Sequence, residues 1–557
     1  MGHISTSHLE ADVSHHPLRT EPGAARPSRR SFLKLTGTLS AAAAITAAVS
    51  ACSGGPESTG NAGGGGKAAS STIEATLAFA LSSGFDPANA SSAVATAANQ
   101  HAFEGLVDLD PVTREPYAAL AADLPKAGAD GRTWTATLRD GATFSDGTAV
   151  TAADVAHSFT RAMDPEMLMS QFIGFIAAVK AKDAKTVEFT LKTPFALFVE
   201  RVAVIKIVPK AKTGNAAASK AFDTTPVGSG PWKIDSADQS KGLTFSVNPH
   251  YNGPRKAKAQ KMVWHTTTEA ATRVADLESG RSQAIEAVPY INVKQVAGKK
   301  KAEPKQAFNQ LFLMFNCSAK PFDDKRVRQA LHYALDTTSI IQTALQGYGT
   351  PADSYLDHGN KAYQKASTVY GFDQAKAKSL LQQAGASSLK FELVTTDAAF
   401  VKDIAPLLVD AWKQIGVTAT LNTAPSSSVY APAPDGLVTK SSFRVLAASG
   451  DPTVFGVDTD LLLRWFYFGE TWPQKRYHWD AASQKKVATW LDQAAAETDE
   501  AKQKAIWKQV LDFVADEAPL YPVLHTKIVT GWDDTTLSDF QPASTTGLYF
   551  LDTARKA

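Results

Sequence analysis

The hydrophobic and polar positions of the chain predict alternating strands and helices. Residues 134–138 alternate apolar and polar side chains, which is the period of a half-buried strand. Asp-Gly turn dipeptides follow, and Thr151 with Asp154 three residues later forms the pattern of a helix capping box. Apolar residues then recur every four positions. The local prediction is a strand, a hairpin and a capped helix.

The same alternation continues in the second half of the chain. One helix is predicted to begin at Asp323 or Asp324, and another at Asp373, because an aspartate precedes each apolar-periodic run. Short apolar strands are predicted at 391–394 and 417–421. Helices that alternate with short apolar strands indicate an α/β fold.

Three further stretches bear on how the chain is connected. The Gly- and Pro-rich stretch 226–232 predicts a chain crossing or a tight turn. Apolar runs at 308–315 and 521–524 predict two more strands, and the second of these would close the fold.

The apolar run Leu35–Val49 is an export signal rather than a membrane span. It has 15 residues, whereas a spanning helix needs about 20. Arg29 and Arg30 precede it as a twin-arginine pair, which indicates a pathway that exports folded proteins.

The end of this signal predicts a lipid anchor. Val49, Ser50 and Ala51 precede Cys52 and resemble a bacterial lipobox, which implies that Cys52 becomes the acylated first residue of the mature protein. The alternative is an ordinary cleaved signal with an incidental cysteine. Residues 52–71 are rich in Gly, Ser and Ala and predict a flexible tether.

Charge and cysteine content exclude several classes of protein. Residues 1–51 carry five bases and three acids, so the remaining 506 residues hold 57 − 5 = 52 bases and 55 − 3 = 52 acids. A neutral chain is a poor binder of nucleic acid, because that binding depends on neutralising phosphates. With Cys52 acylated, Cys317 has no partner for a disulfide.

Several motifs in order resemble the family 5 extracellular solute-binding proteins of ABC importers, the dipeptide, oligopeptide and nickel-binding group. The matching segments lie between Asp86 and about Val523, and they are Glu104-Gly-Leu-Val, Leu138-Arg-Asp-Gly, Phe144-Ser-Asp-Gly-Thr, Ala153-Asp-Val, Pro226-Val-Gly-Ser-Gly-Pro, Phe315-Asn, Pro321-Phe-Asp-Asp, Val327-Arg-Gln-Ala-Leu and the helix from Ala375 to Gly385.

The resemblance implies an α/β, two-lobed periplasmic-binding-protein fold of type II, with an extra subdomain and a hinge between the lobes. The implied division is a leader and signal at 1–51, a tether at 52–71, lobe I at 72–105, 223–316 and 520–557, an extra subdomain at 106–222, and lobe II at 317–519. Ligand would be enclosed between the lobes by a hinge motion.

One departure from the family pattern bears on the ligand. In peptide binders of the family an acid four residues before the Pro of the Asp451-Pro452 step holds the amino terminus, and this chain has Ala448 there. Burying an unpaired ammonium costs several kcal/mol, so a standard peptide is not the expected ligand. Asp451 is a candidate substitute, and the strand from Val445 to Ala448 offers backbone groups.

The aromatic stretch Trp465–Trp479 is the second ligand candidate. Seven of its 15 residues are aromatic, against 9% of the whole chain. Aromatic rings beside a guanidinium suit planar, sugar-like or cationic ligands and acids, although such rings also pack in cores. The candidate ligand-binding residues at this stretch are Arg464, Trp465, Tyr467 and Trp472. Phe85, which precedes the first helix, is a further candidate.

The sequence as a whole predicts a lipid-anchored extracytoplasmic receptor that needs no cofactor or structural metal. It would be a monomer that touches the membrane only through its anchor, and it would deliver a small organic solute or peptide to an ABC permease and its ATPase subunits. Two alternatives remain: a solute-binding sensor or scaffold without transport, and a hydrolase on the same fold. The eight histidines after residue 52 show no metal-binding spacing, although a chelated metal as ligand stays open.

Overall fold

The structure is a computed structural model that describes residues 71–238 and 242–556. The predicted leader, the twin arginines Arg29 and Arg30, the lipidation site Cys52 and the tether up to residue 70 lie outside the described residues. No helix of the described residues combines the length and the apolar character that a membrane crossing requires.

The described residues contain nineteen strands. In chain order they are β1 (Thr72–Leu77), β2 (Val107–Leu109), β3 (Pro116–Ala118), β4 (Lys126–Ala127), β5 (Thr133–Thr137), β6 (Ile176–Ala181), β7 (Thr186–Leu191), β8 (Trp232–Asp238), β9 (Gly242–Val247), β10 (Lys261–Thr266), β11 (Ala284–Ile285), β12 (Lys301–Phe315), β13 (Gly349–Pro351), β14 (Lys390–Thr396), β15 (Thr418–Ala424), β16 (Val445–Gly450), β17 (Leu520–Trp532), β18 (Leu537–Ser538) and β19 (Ala554–Arg555).

Fifteen α-helices accompany these strands in the same part of the chain. They are α1 (Ala93–Ala102), α2 (Ala152–Ala162), α3 (Phe198–Val202), α4 (Lys210–Thr213), α5 (Ala216–Phe222), α6 (Ala270–Glu278), α7 (Val293–Ala297), α8 (Lys325–Tyr333), α9 (Thr337–Leu345), α10 (Gln374–Gln383), α11 (Ala399–Lys413), α12 (Ser426–Val429), α13 (Thr459–Tyr467), α14 (Ala481–Ala496) and α15 (Glu500–Glu517). Short 3-10 helices occur at Leu168–Phe172, Tyr290–Asn292, Leu437–Thr439 and Pro452–Val454.

One mixed sheet runs through both lobes, in the order β15-β14-β16-β12-β17-β11-β1-β10-β9-β8, with β13 paired to β17. We call β11, β1, β10, β9 and β8 the lobe I sheet, and β15, β14 and β16 the lobe II sheet. Strands β12 and β17 belong to both. A separate four-stranded sheet, β4-β5-β7-β6, packs with α2.

The two long strands β12 and β17 connect the lobes. Residues 301–306 of β12 pair with 527–532 of β17, and the last two residues of β17 pair with β11 of lobe I. Residues 310–314 of β12 pair with 520–525 of β17 on one side, and residues 310–315 pair with β16 of lobe II on the other. The β12–β17 register shifts between Gln306 and Gln310 and again between Leu311 and Phe312, and the first of these shifts lies where the strands pass from one lobe to the other.

The helix predictions are confirmed by cap geometry. At α2 the Thr151 hydroxyl accepts from the Asp154 N–H at 3.3 Å, and the Asp154 carboxylate accepts from the Thr151 N–H at 3.0 Å. Asp324 caps α8 and Asp373 caps α10 through side-chain oxygens that accept backbone N–H groups. The predicted strand at 391–394 lies within β14, and the one at 417–421 overlaps β15, which begins one residue later.

The C-terminal segment completes the core of lobe I. Leu548 and Phe550 are buried in one hydrophobic cluster with Ile73 and Ala75 of β1. The Phe550 N–H donates to His101 Nε2 at 2.9 Å, which holds the segment against α1. Burial lowers the pKa of His101 to about 4, so this histidine is a neutral core residue.

A buried ionic cluster ties α3 to α13. Arg201 Nε donates to Asp458 Oδ2 at 3.0 Å, and its Nη2 donates to Asp460 Oδ2 at 2.8 Å. All three side chains are at most 2% exposed. Burial acts to lower the pKa of Arg201, but the two carboxylates outweigh it and raise the pKa above its ordinary value. Arg464 also pairs with Asp460, at 2.8 Å.

We expect Arg201→Met to lower the free energy of unfolding by about 3–5 kcal/mol, because it leaves buried carboxylates without their partner. Urea unfolding followed by circular dichroism measures the change. Lys361→Met is the matched control: it removes an ion pair to Glu115 between side chains that are 82% and 55% exposed. Its effect should stay within about 0.5 kcal/mol. Equal effects for the two variants would contradict the stabilising role of the buried cluster.

Candidate functional site

Two adjoining openings lie between elements of the two lobes. The first spans about 390 Å³ and the second about 340 Å³ of empty space, much of it open solvent rather than enclosed cavity. They share Gln100, Ala203, Val454 and Phe455, so they form one continuous cleft. The other lining residues are Leu109, Pro111, Arg114, Tyr117, Tyr549 and Leu551 at the first opening, and Pro87, Ala90, Thr96, Asn99, Met169, Val204 and Lys206 at the second.

Regular elements position both walls of this cleft. On the first wall, Thr96, Asn99 and Gln100 lie along α1, whose start is fixed by the Ser92 side chain accepting the Ala95 N–H at 3.1 Å. On the second wall, β16 ends at Gly450 and a 3-10 helix follows at Pro452–Val454. Ligands of α/β proteins bind outside the carboxyl ends of strands, which is where this helix lies.

Hydrogen bonds cross the cleft at Thr453. Arg114 Nη2 donates to the Thr453 carbonyl at 2.6 Å. The Thr453 hydroxyl lies 2.8 Å from that of Thr545 in the C-terminal segment. Asp451 caps the 3-10 helix, and its Oδ1 accepts from the Thr453 N–H at 3.0 Å and from the Thr453 hydroxyl at 2.5 Å. The two walls are therefore in direct contact.

Several buried polar atoms at the cleft have no hydrogen-bond partner in the described residues. They are Asp451 Oδ2, Arg114 Nε, Thr96 Oγ1 and Asn99 Oδ1. A buried polar group without a partner costs about 1–3 kcal/mol, and a charged one costs more. Such atoms are a small fraction of buried polar groups in proteins, so their grouping at one cleft indicates a place where solvent or ligand supplies the missing bonds.

Burial sets the electrostatics of Asp451 and Arg114. Burial raises the pKa of Asp451 to about 6, although the bonds from Thr453 and the nearby Arg114 charge act in the opposite direction. The neighbouring Asp357 adds to the increase. Burial also lowers the pKa of Arg114, which Tyr549, Asp451 and Asp110 partly offset. At pH 7.5 Asp451 is mainly ionised and has one oxygen free.

A second charged cluster contacts the first wall through Gln100. Glu104 pairs with Arg139 at 2.9 Å, and Lys206 pairs with Asp108 at 2.6 Å. Burial raises the pKa of Glu104 to about 7 even though Arg139 opposes it. Lys206 Nζ also donates to Gln100 Oε1 at 2.7 Å, so this cluster fixes the side chain that both openings share.

Three candidates are buried: Val445 and Ala448 on β16, and Phe85 before α1. Val445 lies on β16 between Phe315 of β12 and Leu393 of β14, and Ala448 lies opposite Phe312. Phe85 is in the lobe I core, and its carbonyl accepts from Asn99 Nδ2 at 3.1 Å. Asp451, the remaining candidate of lobe II, lies near the charge of Arg114, which lines the first opening. The ligand-binding role of each stays a prediction.

None of the candidates from the aromatic stretch lines either opening. Trp465 is half-buried, stacks on Phe172 with centroids 5.7 Å apart, and contacts the cleft residue Phe455 at 5.4 Å. Tyr467 is fully buried and donates to the Leu520 carbonyl at 2.7 Å. Arg464 is held by Asp460 and Asp492. Trp472 packs on Phe466 and on Phe312 of β12.

Several residues that line the first opening were not predicted from the sequence. Gln100, Arg114, Phe455 and Tyr549 come from distant parts of the chain. Arg114 has a positive φ of 62°, a backbone conformation that the local sequence does not predict. Within 71–238 and 242–556, no group of three or more His, Cys, Asp and Glu side chains is arranged to hold a metal ion.

Comparison with known proteins identifies the class to which this fold and cleft belong. The model of the bacterial extracellular solute-binding proteins, family 5 (middle region), matches residues 115–461, which is more than half of the chain. A glutathione-binding protein of Shigella dysenteriae serotype 1 is 27% identical over 473 residues, which cover 84% of this chain and 91% of that protein.

Solved structures share the fold at low sequence identity. A dipeptide-binding protein from Pseudoalteromonas sp. SM9913, in complex with Met-Leu, has a TM-score of 0.76 at 19% identity and covers 87% of this chain and 100% of its own. A binding protein of A. tumefaciens R10, in complex with agropinic acid, has a TM-score of 0.75 at 23% identity, with 87% and 99% covered.

The chain belongs to the bacterial extracellular solute-binding proteins, family 5. It is the substrate-binding component of an ABC importer, which captures a solute between two lobes and delivers it to a permease. The family consists of extracytoplasmic solute-binding proteins rather than enzymes. The predicted family, fold and general function are thus confirmed.

We expect Asp451→Asn to stabilise the ligand-free protein at pH 7.5 but not at pH 4. The pKa of Asp451 is raised on folding, from an ordinary value of 3.8 to about 6. Its contribution to stability is therefore fully present below pH 3.8 and is lost as the pH rises through about 6. Asparagine keeps the Oδ1 acceptor and cannot ionise, so the gain at pH 7.5 is up to ~3 kcal/mol.

Melting temperatures of both proteins between pH 4 and 8 measure this difference. Asp435→Asn changes an exposed aspartate of the same lobe and should give no difference that depends on pH. If the difference in melting temperature between wild type and Asp451→Asn stays constant over this pH range, Asp451 is not a buried carboxyl with a raised pKa.

Proposed function

We propose that this chain is a lipid-anchored receptor that binds an organic solute with a cationic or hydrogen-bond-donating group facing Asp451. The observation that carries the site is the free Oδ2 of Asp451, which is buried beside the cleft and ionised at neutral pH. A charge in this setting gains most from a partner that the ligand brings, because the cost of burying it unpaired is then removed.

The other cleft residues complete a mixed polar and apolar site. Phe455 and Tyr549 offer apolar surface, and Gln100, Asn99 and Arg114 offer hydrogen-bonding groups. Pockets for small solutes typically combine such surface with a few polar groups that fix orientation. Trp465 lies behind Phe455 and supports its ring rather than lining either opening.

Capture of a solute by the purified protein tests this site. The chain from residue 53 onward, dialysed free of bound solute, is incubated with a small-molecule extract of a bacterial culture, and retained compounds are identified by mass spectrometry. We expect wild type to retain a compound that raises its melting temperature, because a ligand specific to the folded state stabilises it. Glutathione and Met-Leu serve as defined probes alongside the extract.

The Asp451 assignment is tested with the compound that wild type retains. Asp451→Asn should bind it at least about tenfold more weakly by isothermal titration calorimetry, whereas Asp435→Asn should bind like wild type. Retention of nothing by wild type would contradict solute capture. Unchanged affinity in Asp451→Asn would leave capture intact and would move the site away from Asp451.

The anchor and the export route rest on the sequence. A twin-arginine signal with Arg29 and Arg30 would carry the folded chain out of the cytoplasm, and acylation of Cys52 would hold it on the outer face of the cell membrane. One acyl chain gives only marginal anchoring, so stable attachment requires the several chains of a bacterial lipoprotein. The mature monomer would then present its solute to an ABC permease and its ATPase subunits.

We expect Cys52→Ala to shift the protein from the membrane fraction to the soluble extracytoplasmic fraction or the medium, without loss of solute binding. Immunoblots of cell fractions measure the shift, and calorimetry with the retained compound measures the binding. Cys317→Ala is the matched control, because it removes the other cysteine and should leave the protein on the membrane. A Cys52→Ala protein that stays membrane-bound would exclude the lipid anchor.

A further inference from the structure

A second cluster at the carboxyl edge of the lobe II sheet has no assigned role. It consists of Tyr430, Trp472 and Arg476, and we call it the Arg476 cluster. The Arg476 guanidinium lies 4.0 Å from the centroid of the Trp472 ring and 4.7 Å from that of Tyr430. The two rings meet at 5.6 Å and 66°. Arg476 is half-buried.

The cluster covers one face of the lobe II sheet. Trp472 contacts Phe312 of β12 with centroids 6.2 Å apart, and Phe312 is directly opposite Ala448 of β16. Residues directly opposite each other share a face, so the Ala448 methyl group points to the same side as the Trp472 ring. Thr395 pairs with Ala447, so the next residue, Thr396, also lies on the Ala448 face.

Unpaired polar groups gather at this face. Tyr430 OH and Thr396 Oγ1 are buried without a hydrogen-bond partner. The side-chain amide of Gln310, which shares its face with Phe312, has no partner for either its oxygen or its nitrogen. Among residues 71–238 and 242–556, no carboxylate forms an ion pair with Arg476. The groups are a cation and three neutral hydrogen-bonding side chains, with no acid opposite them.

The geometry points to an anion subsite, in which Arg476 binds a carboxylate of the transported solute and Tyr430 and Thr396 donate hydrogen bonds to it. A guanidinium presents a planar fork of donors that matches a carboxylate, and its stacking on two rings fixes the plane of that fork. Tyr430 and Thr396 follow or end β15 and β14, at the same edge of the sheet as Asp451.

The inference deepens the proposed function and rests on it. With an ionised Asp451 and a cationic Arg476 at one edge of the sheet, the fitting solute is a zwitterion that carries a donor or cationic group toward the first and a carboxylate toward the second. Burial lowers the pKa of Arg476, against the opposing effect of Tyr430, so a bound anion would offset the cost of desolvating its charge.

Chemical blocking of carboxylates tests the subsite without altering the protein. The culture extract is used in two forms, untreated and with its carboxylic acids converted to methyl esters, and each is incubated with wild type. We expect a compound to be retained from the untreated extract and its ester not to be retained. A retained compound that lacks a carboxylate, or an ester that binds equally well, overturns the anion subsite while solute capture stands.

Substitution of Arg476 tests the assigned residue. Arg476→Gln should bind the retained compound at least about 30-fold more weakly, because a charge-assisted bond in a desolvated site is lost. Arg444→Gln is the matched control, since Arg444 is also in lobe II and its Nη1 donates to the backbone carbonyls of Ser441 and Phe443. Its affinity should equal that of wild type.

A third variant separates binding from folding. Tyr430→Phe keeps the ring that stacks on Arg476 and removes only the unpaired hydroxyl, so it should weaken binding several-fold while the melting temperature of the free protein holds or rises. Wild-type affinity in both Arg476→Gln and Tyr430→Phe overturns the assignment. Failure of wild type to retain any compound overturns the proposed function, and with it this inference.

Discussion

The pairing of β12 with β17 is the constraint on which the rest of the structure depends. The two strands lie side by side through both lobes. Within the described residues, every other strand of the main sheet serves one lobe only. This pair holds the two half-sheets together, and the register shift between Gln306 and Gln310, one of two in the shared ladder, lies where the strands pass from one lobe to the other.

Local rules allowed much of the fold to be predicted. The capping box at Thr151 and the aspartate caps at Asp324 and Asp373 depend on neighbours two or three residues away, so the sequence contains the whole signal. The long strands were predicted only in part, at 308–315 and 521–524. The missed half of β12, residues 301–306, is more exposed and contains Lys305 and Pro304, so it lacks the apolar signature of a strand.

The site was less predictable because it depends on contacts between distant residues. Asp451 became a candidate through the Asp-Pro step of the family pattern, and it lies beside Thr453 and Arg114 rather than in the lining of either opening. Arg114 could not be predicted, since its contact with Thr453 joins residues 339 positions apart. The aromatic stretch shows the opposite difficulty: a high density of rings indicates burial as readily as binding, and Tyr467 is a core residue whose hydroxyl bonds the backbone of Leu520.

The position of β17 and of the C-terminal segment also determines when the protein can fold. Ribosomes make the N-terminal residues first, yet β11 of lobe I pairs with residues 531 and 532, and the core around β1 contains Leu548 and Phe550. Lobe II similarly lacks β17 until residues 520–525 are made. Neither lobe can be completed before these distant residues have been made, so the first residues of lobe I wait for residues 531–550. A fold that joins such distant parts of the chain is well matched to the export of folded cargo that Arg29 and Arg30 predict.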